Sequence, residues 1–158
     1  MVVAKSTLKH GRASKAKKGP PKVAAATGAL GLPARNAVEL HRLIEEGVRY
    51  ALLGKLQKAL RLPLKNLAQA LQIPMRTLSR RREEGVFSPT ESERLLRLAS
   101  LYDMAVDLFA GDAEAARRWL AAPRPALGGC SPLEFARTEI GAREVEDLMG
   151  RLEHGVFV

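Results

Sequence analysis

Two copies of one four-residue pattern predict where two helices begin. Ser88-Pro89-Thr90-Glu91 and Ser131-Pro132-Leu133-Glu134 each place a serine before a proline, with a glutamate three residues after the serine. Proline is tolerated in a first helical turn, and the glutamate can return a hydrogen bond to the serine, so each pattern is typical of a capping box. Apolar residues after the first box recur at helical spacing to about Phe109, which predicts one long helix.

Further start and stop signals predict helices in the rest of the chain. Asn36 can cap a helical stretch that Gly47 and Gly54 weaken, so two pieces are expected, near 36–46 and 48–61. Two short helices follow, and three helices are predicted after the long one, the second of them starting at the Ser131 box. Their signals are Pro63, Pro74 and Gly85 for the short helices, Asp112 as a cap, Thr138 or Gly141 as the last start, and Gly155 as the last stop.

Composition supports a helical fold. Hydrophobic residues make up 46% of the 158 residues but aromatic residues only 4%, so Leu and Ala must build most of the core. Both residues favour helix, and no segment has the alternation of a strand. The sequence therefore predicts an all-α protein.

Charge is distributed unevenly along the chain. Residues 1–35 hold eight Lys and Arg and no acid, residues 48–98 have a net charge of +7, and residues 127–158 have a net charge of −3. The basic middle predicts a polyanionic partner, and the acidic end predicts a different one. Residues 1–34 lack apolar periodicity, so we expect a disordered basic tail that is either a solvated segment or an arm that strengthens DNA binding by releasing counterions.

A helix-turn-helix motif is predicted at about residues 64–84, within a helical region spanning 35–110. Its apolar anchors would be Leu67, Ala68, Leu71, Ile73 and Leu78. The second helix would then direct Arg76, Thr77 and Arg80 to base edges in the major groove. Phosphate contacts are expected from Lys65, Ser79, Arg81 and Arg82. Gln72 stands where such turns often carry glycine, so it must adopt a strained conformation or the turn must differ.

Other kinds of site receive no support from the sequence. His10, His41 and His154 are too scattered for a metal site, and Cys130 has no nearby partner ligand. No nucleophile lies beside a base, so we expect neither catalysis nor a cofactor. A single cysteine suits a reducing cytoplasm, and no stretch approaches the roughly 20 apolar residues that span a membrane.

The C-terminal segment resembles the C-terminal domain of the Xre/MbcA/ParS antitoxin family. The resemblance lies in L-G-G-x-S-P-L-E, then T-E-x-G-A-R-E-V-E-D-L, then G-R-x-E-x-G, and with the upstream helices it covers about residues 48–158. It implies that residues 111–158 form a toxin-binding domain that covers the active site of an NAD-consuming RES-domain toxin. It also implies that the helix-turn-helix represses the shared operon.

The resemblance also implies partner-facing or domain-shaping residues. These are Arg143, Glu146, Asp147, Gly150, Arg151, Glu153 and Gly155. An acidic helix complements the basic mouth of a site that holds anionic NAD, and Val156 and Phe157 can anchor in an apolar pocket of the toxin. The alternative for Phe157 is that it folds back onto the chain's own core.

The expected partners are therefore a RES-domain toxin, operator DNA and a second copy of the chain, assembling into a larger complex with toxin. A homodimer is expected because helix-turn-helix proteins usually read two half-sites. One rival interpretation is a stand-alone dimeric repressor whose C-terminal part only dimerises. Another is a structural or adaptor protein whose helix-turn-helix no longer binds DNA.

Overall fold

A computed structural model describes residues 28–32 and 36–155, and this part of the chain is helical as predicted. Helices α1 to α4 span Ala37–Glu46, Ala51–Leu60, Leu64–Ala70 and Met75–Glu84. Helices α5 to α8 span Pro89–Leu108, Ala113–Ala121, Pro132–Phe135 and Glu139–Glu153, and a short 3₁₀ turn covers Pro125–Leu127. The described residues contain no strand, and the prediction of an all-α fold is confirmed.

The long helix α5 forms the centre of the molecule. It packs against α1 and α2 on one part of its length and against α6 and α8 on another. Leu95, Ala99 and Ala105 are fully buried along it, and Leu101 and Tyr102 are nearly so. Because α5 contacts helices from both halves of the chain, it joins them around one continuous apolar core.

Both predicted capping boxes are present. The Ser88 hydroxyl accepts a hydrogen bond from the Glu91 amide at 3.3 Å, and the Glu91 carboxylate accepts one from the Ser88 amide at 2.8 Å. The box at Ser131 and Glu134 has the same two bonds, at 3.3 and 2.9 Å. These bonds satisfy amides that the first helical turn leaves unpaired, which explains why α5 and α7 begin where they do.

The chain between α1 and α2 differs from the prediction that a helix resumes near residue 48. Residues 48–50 instead run beside residues 85–87, where Arg49 and Val86 form an isolated antiparallel bridge. The Phe87 amide donates to the Val48 carbonyl at 2.9 Å. Gly47 permits this approach, since a Cβ there would lie 2.5 Å from the Phe87 carbonyl oxygen. Gly54 does not interrupt α2, which continues through it.

The prediction of a disordered tail does not hold for residues 28–32. Leu30 is fully buried in the core. The Ala29 amide donates to both carboxylate oxygens of Asp103 at 3.0 and 3.2 Å, and the Lys55 ammonium donates to the Leu30 carbonyl at 3.1 Å. One buried leucine in a glycine-rich segment has no periodicity, so pattern analysis could not detect it. The rest of the predicted tail lies outside the described residues.

Within residues 28–32 and 36–155, no helix combines the length and the apolar character needed to cross a bilayer.

Candidate functional site

The helix-turn-helix is formed by α3 and α4, and its predicted anchors are all buried. Each of the five side chains is at most 3% exposed: Leu67, Ala68, Leu71, Ile73 and Leu78. The turn between the helices places Gln72 at φ +54°, the left-handed conformation that the sequence predicted as one possibility. The Arg94 guanidinium of α5 donates to the Gln72 carbonyl at 3.2 Å and thereby braces the strained turn.

The outward face of α4 carries the predicted base-contacting residues. Its side chains surround an open surface depression that is lined by Arg76, Thr77, Ser79, Arg80 and Glu83. Arg76 and Arg80 are exposed, whereas Thr77 is half-buried. The Ser79 hydroxyl donates to the Met75 carbonyl at 3.2 Å, which leaves its oxygen free to accept a bond. This face opposes the buried Leu78, so it is the surface of α4 that a DNA groove can reach.

The remaining predicted phosphate contacts fall into two groups. Lys65 on α3 and Arg82 on α4 are exposed. Arg81 is different, because its side chain is only 17% exposed and its guanidinium is paired with Glu84 at 2.5 Å and with Glu91 at 2.6 Å. A charge held in two ion pairs beside the protein body is poorly placed to reach a phosphate.

Glu91 keeps its negative charge in this buried place. Burial alone would raise the pKa of its carboxyl, but hydrogen bonds from Arg81 and Ser88 outweigh that effect and hold the pKa below its usual range. The carboxylate is therefore ionised at neutral pH, and it forms a charge-assisted bond with the guanidinium.

Glu83 is an acidic residue on the outward face of α4, close to the exposed arginines. The ion pairs along α4 are made by Glu84, to Arg80 at 3.7 Å and to Arg81. Glu83 lines the same depression as Arg76 and Arg80. A carboxylate at such a position repels phosphate, and it can accept a hydrogen bond from the amino group of cytosine.

In the C-terminal half, α8 presents most of the residues that the resemblance implied. Its inner stripe is buried at Ala142, Val145, Leu148 and Met149, as the periodicity predicted. Arg143, Asp147 and Glu153 are exposed, Gly150 and Arg151 are partly exposed, and Gly155 follows the helix end in an exposed position. Val156 and Phe157 lie outside the described residues.

Ion pairs organise the outer face of α8. Arg143 pairs with Glu139 one turn earlier, and Arg151 pairs with Glu144 at 3.0 Å. Because both arginines are held by carboxylates, the face combines fixed charges of both signs with the exposed Asp147. Exposed pairs of this kind add little to stability, but they define an electrostatic pattern that a partner can recognise.

Glu146 lies at the junction of α8 and α5 rather than on the outer face. It is half-buried, and desolvation together with the nearby Asp147 raises the pKa of its carboxyl, although Arg143 and Arg97 of α5 oppose that shift. This surrounding suits a residue that shapes the contact between the two helices.

Ile140 is an apolar residue on the outer face that the sequence analysis did not single out. Its side chain is 83% exposed in the first turn of α8. The sequence could have identified Ile140 by its position opposite the stripe of Ala142, Val145 and Met149. An isoleucine on the polar side of an amphipathic helix contributes nothing to the core. Exposed apolar side chains within a charged face are typical anchors of protein interfaces.

A small groove lies where the chain leaves α8. It is lined by residues from the ends of α5 and α8, namely Met104, Asp107, Leu108, Met149, Gly150, Glu153 and His154. Gly150 has nothing within 4 Å of the place where a Cβ would stand, so its backbone is open to close approach. Among the residues that the structure describes, no group of three His, Cys, Asp or Glu could hold a metal ion.

Two regions of the chain match known families. Residues 39–100 match the Antitoxin Xre-like helix-turn-helix domain, and residues 104–155 match the Antitoxin Xre/MbcA/ParS C-terminal toxin-binding domain. The two regions meet inside α5, which agrees with the role of this helix in joining the two halves.

Whole-chain relatives agree with these matches. An Antitoxin Xre from Yersinia enterocolitica is 43% identical over 129 residues, covering 81% of this chain and 87% of the relative. An Antitoxin Xre from Photorhabdus laumondii is 34% identical, covering 80% of this chain and 86% of the relative. A Prs ADP-ribosylating antitoxin from a Sphingobium species is 27% identical, covering 73% and 78%.

Proposed function

The chain belongs to the Xre/MbcA/ParS antitoxin family, and we propose that it neutralises an NAD-degrading RES-domain toxin and represses its own operon in the cytoplasm. The observation that carries the proposal is the division of the surface between two opposed chemistries. One face, on α4, is arginine-rich and belongs to a helix-turn-helix, and the other, on α8, is acidic and belongs to a toxin-binding domain. Both activities are binding, and neither requires catalysis by this chain.

The toxin contact is assigned to the outer face of α8. An active site that holds anionic NAD is expected to be basic, and Asp147, Glu139 and Glu144 supply complementary charge. Ile140 gives this face an apolar anchor, and Gly150 allows the toxin backbone to approach closely. Arg143, Arg151 and Glu153 would border the contact, and Gly155 would continue it at the helix end. Val156 and Phe157, which lie outside the described residues, are proposed as its apolar anchors. Glu146 supports it from the α5 side.

The DNA contact is assigned to the outward face of α4. Arg76, Thr77 and Arg80 would reach base edges, and Ser79, Arg82 and Lys65 would contact phosphates. Two copies of the chain would place two such helices about 34 Å apart, one helical turn of DNA. The basic residues preceding Gly28 would add salt-sensitive affinity.

A related toxin chemistry is suggested by the Sphingobium relative, whose name refers to ADP-ribosylation. ADP-ribosyl transfer also consumes NAD, so the same acidic face would suit either kind of toxin. Assays of NAD consumption in the presence and absence of protein substrate separate the two. An NAD-degrading toxin consumes NAD without attaching ADP-ribose to protein, whereas an ADP-ribosylating toxin attaches it to the protein substrate.

The DNA assignment is tested with Arg76→Ala and Arg80→Ala combined. This variant should bind a duplex from the promoter of its own gene more weakly, by about 1–3 kcal/mol for each lost base contact. A matched control combines Arg42→Ala and Arg118→Ala, which removes two exposed arginines from α1 and α6. Equal binding by the two double variants would contradict the assignment of α4 as the recognition helix.

A stand-alone repressor and an antitoxin are distinguished by whether a RES-domain protein is encoded beside this gene and binds this chain. Co-purification of the two proteins supports the antitoxin. Tight promoter binding by a chain that never associates with that neighbour supports the stand-alone repressor.

A further inference from the structure

We propose that Arg81 and Glu91 form a positioning pair that sets the orientation of the recognition helix α4 on α5, rather than Arg81 contacting phosphate. The proposal rests on the DNA-binding half of the proposed function. It assigns a role to Glu91, an acidic residue that belongs to no predicted interface.

Arg81 faces the protein body because of its place in the helix. It follows the buried Leu78 by three residues, and residues three apart lie on the same side of a helix. Its side chain is 17% exposed, whereas that of the adjacent Arg80 is 60% exposed. The Arg81 Nε lies 2.6 Å from the Glu91 Oε2, and its Nη1 lies 2.5 Å from the Glu84 Oε2.

One carboxylate oxygen of Glu91 connects two helices. The same Oε2 that accepts from Arg81 also accepts from the Ser88 amide at 2.8 Å, which closes the capping box of α5. The Glu91 side chain is only 12% exposed. The last turn of α4 and the first turn of α5 are therefore bound to a single atom.

This connection matters because few side chains attach α4 to the core. The ends of α4 are held through the backbone, since the Gln72 carbonyl before it accepts from Arg94 and the Gly85 carbonyl after it accepts from the Tyr50 amide at 2.9 Å. Leu78 is the only buried residue of α4. One buried side chain fixes where the middle of a helix lies but does little to set the rotation of the helix about its own axis. The Arg81–Glu91 pair supplies a second fixed point three residues further along, and base readout requires side chains to be held to within about 0.5 Å.

Two glutamate variants provide the sharpest test, since each removes one negative charge near α4. Glu91→Gln can still close the capping box but loses the ion pair, whereas Glu83→Gln removes a charge from the outward face. If charge alone matters, both variants should bind DNA more tightly. If Glu91 positions α4, Glu91→Gln should weaken binding to the promoter duplex by about tenfold, while Glu83→Gln strengthens it or leaves it unchanged.

Two arginine variants test the other half of the pair. Arg82→Gln removes a proposed phosphate contact, so the negative slope of log affinity against log salt concentration should become less steep by about 0.9. Arg81→Gln should instead reduce the preference for the promoter duplex over a scrambled duplex of equal length, because misplaced side chains lose base contacts but keep general attraction. The double variant Arg81→Gln with Glu91→Gln should be no weaker than either single variant, as expected for one coupled unit.

Full-length chains are titrated with both duplexes over a salt series, and thermal unfolding verifies that each variant is folded. Weaker promoter binding by Glu91→Gln, non-additive with Arg81→Gln, supports the positioning pair. Tighter binding by Glu91→Gln, or an additive double variant with a reduced salt slope for Arg81→Gln, overturns it. Absence of promoter preference in the wild-type chain would overturn the proposed DNA-binding function itself, which is a different failure from either of these.

Discussion

Individual residues divide into those that a periodic pattern predicts and those that depend on a tertiary partner. The buried anchors of the helix-turn-helix followed from spacing, since apolar residues at helical intervals must share a face. Spacing also contained the inward direction of Arg81, three residues after Leu78, but its charge favoured a DNA contact. The Ala29–Asp103 contact joins residues 74 apart in sequence, so no local signal could reveal it.

Gln72 provides a test of local strain. A non-glycine residue at φ +54° is disfavoured. Arg94 bonds to the backbone carbonyl of Gln72, which glycine also provides. Gln72→Gly should therefore raise the free energy of unfolding by up to about 1 kcal/mol, because relief of strain slightly exceeds the added entropy of the unfolded chain.

Denaturant unfolding measures this change. Gln69→Gly, in the exposed part of α3, is the matched control and should lower the free energy of unfolding by about 1 kcal/mol. A loss of stability in both variants would show that the Gln72 side chain has a role beyond the turn.

Asp103 provides a test of burial at a single carboxyl. Desolvation raises its pKa, and hydrogen bonds from the Ala29 and Gly28 amides only partly oppose the shift. A raised pKa means that the folded state gains stability from this group as the pH falls through its folded pKa. Asp103→Asn, which keeps an acceptor for the Ala29 amide, should be as stable as wild type or more stable at pH 7, with the difference shrinking at acidic pH.

The measurement is urea unfolding at a series of pH values. Asp103→Ala serves as the contrast, because it removes both acceptors and should be less stable than Asp103→Asn by about 1 kcal/mol at all pH values in the series. A stability difference between Asp103→Asn and wild type that does not change with pH would contradict a raised pKa.

At the scale of the helix, the ends were more predictable than the connections. Ser88 and Ser131 begin helices because their side chains and the following glutamates satisfy the first amides. The link between α1 and α2 could not be predicted, since residues 48–50 depend on residues 85–87 for their hydrogen bonds. A distant partner there overrides local helix preference.

Two glycines of α8 separate folding from binding. A Cβ on Gly141 would lie 1.8 Å from the Phe135 carbonyl oxygen, whereas Gly150 has open space around it. Gly141→Ala should destabilise the protein by about 1–3 kcal/mol, because the α7–α8 contact must open. Gly150→Ala should stabilise the helix by roughly 0.8–1 kcal/mol and yet weaken toxin binding, since the added methyl group obstructs close approach.

Thermal unfolding and toxin titration of the two variants provide the readouts. Unchanged toxin affinity for Gly150→Ala would remove Gly150 from the proposed contact without affecting the fold. Equal stability of Gly141→Ala and wild type would contradict the close packing of α7 on α8.

At the scale of the whole molecule, the described residues carry the two proposed binding surfaces on one core, and α5 contributes to the attachment of both. Its first turn holds α4 through Glu91, and its later turns pack against α8, where Arg97 lies near Glu146. Charge along the sequence indicated that the two surfaces have different partners, but it did not reveal that both are attached to α5. This attachment depends on side chains that become buried only when the two halves of the chain pack against α5.

The central claim is the proposal that this chain blocks an NAD-consuming active site. It is tested by titrating the chain into the RES-domain toxin proposed as its partner while NAD consumption is followed. The account predicts loss of NAD consumption at stoichiometric chain. It also predicts that Ile140→Asp requires more chain for the same inhibition, whereas Val38→Asp, a change at a similarly exposed residue of α1, behaves as wild type. Undiminished NAD consumption within a stable complex of the two proteins would contradict the account.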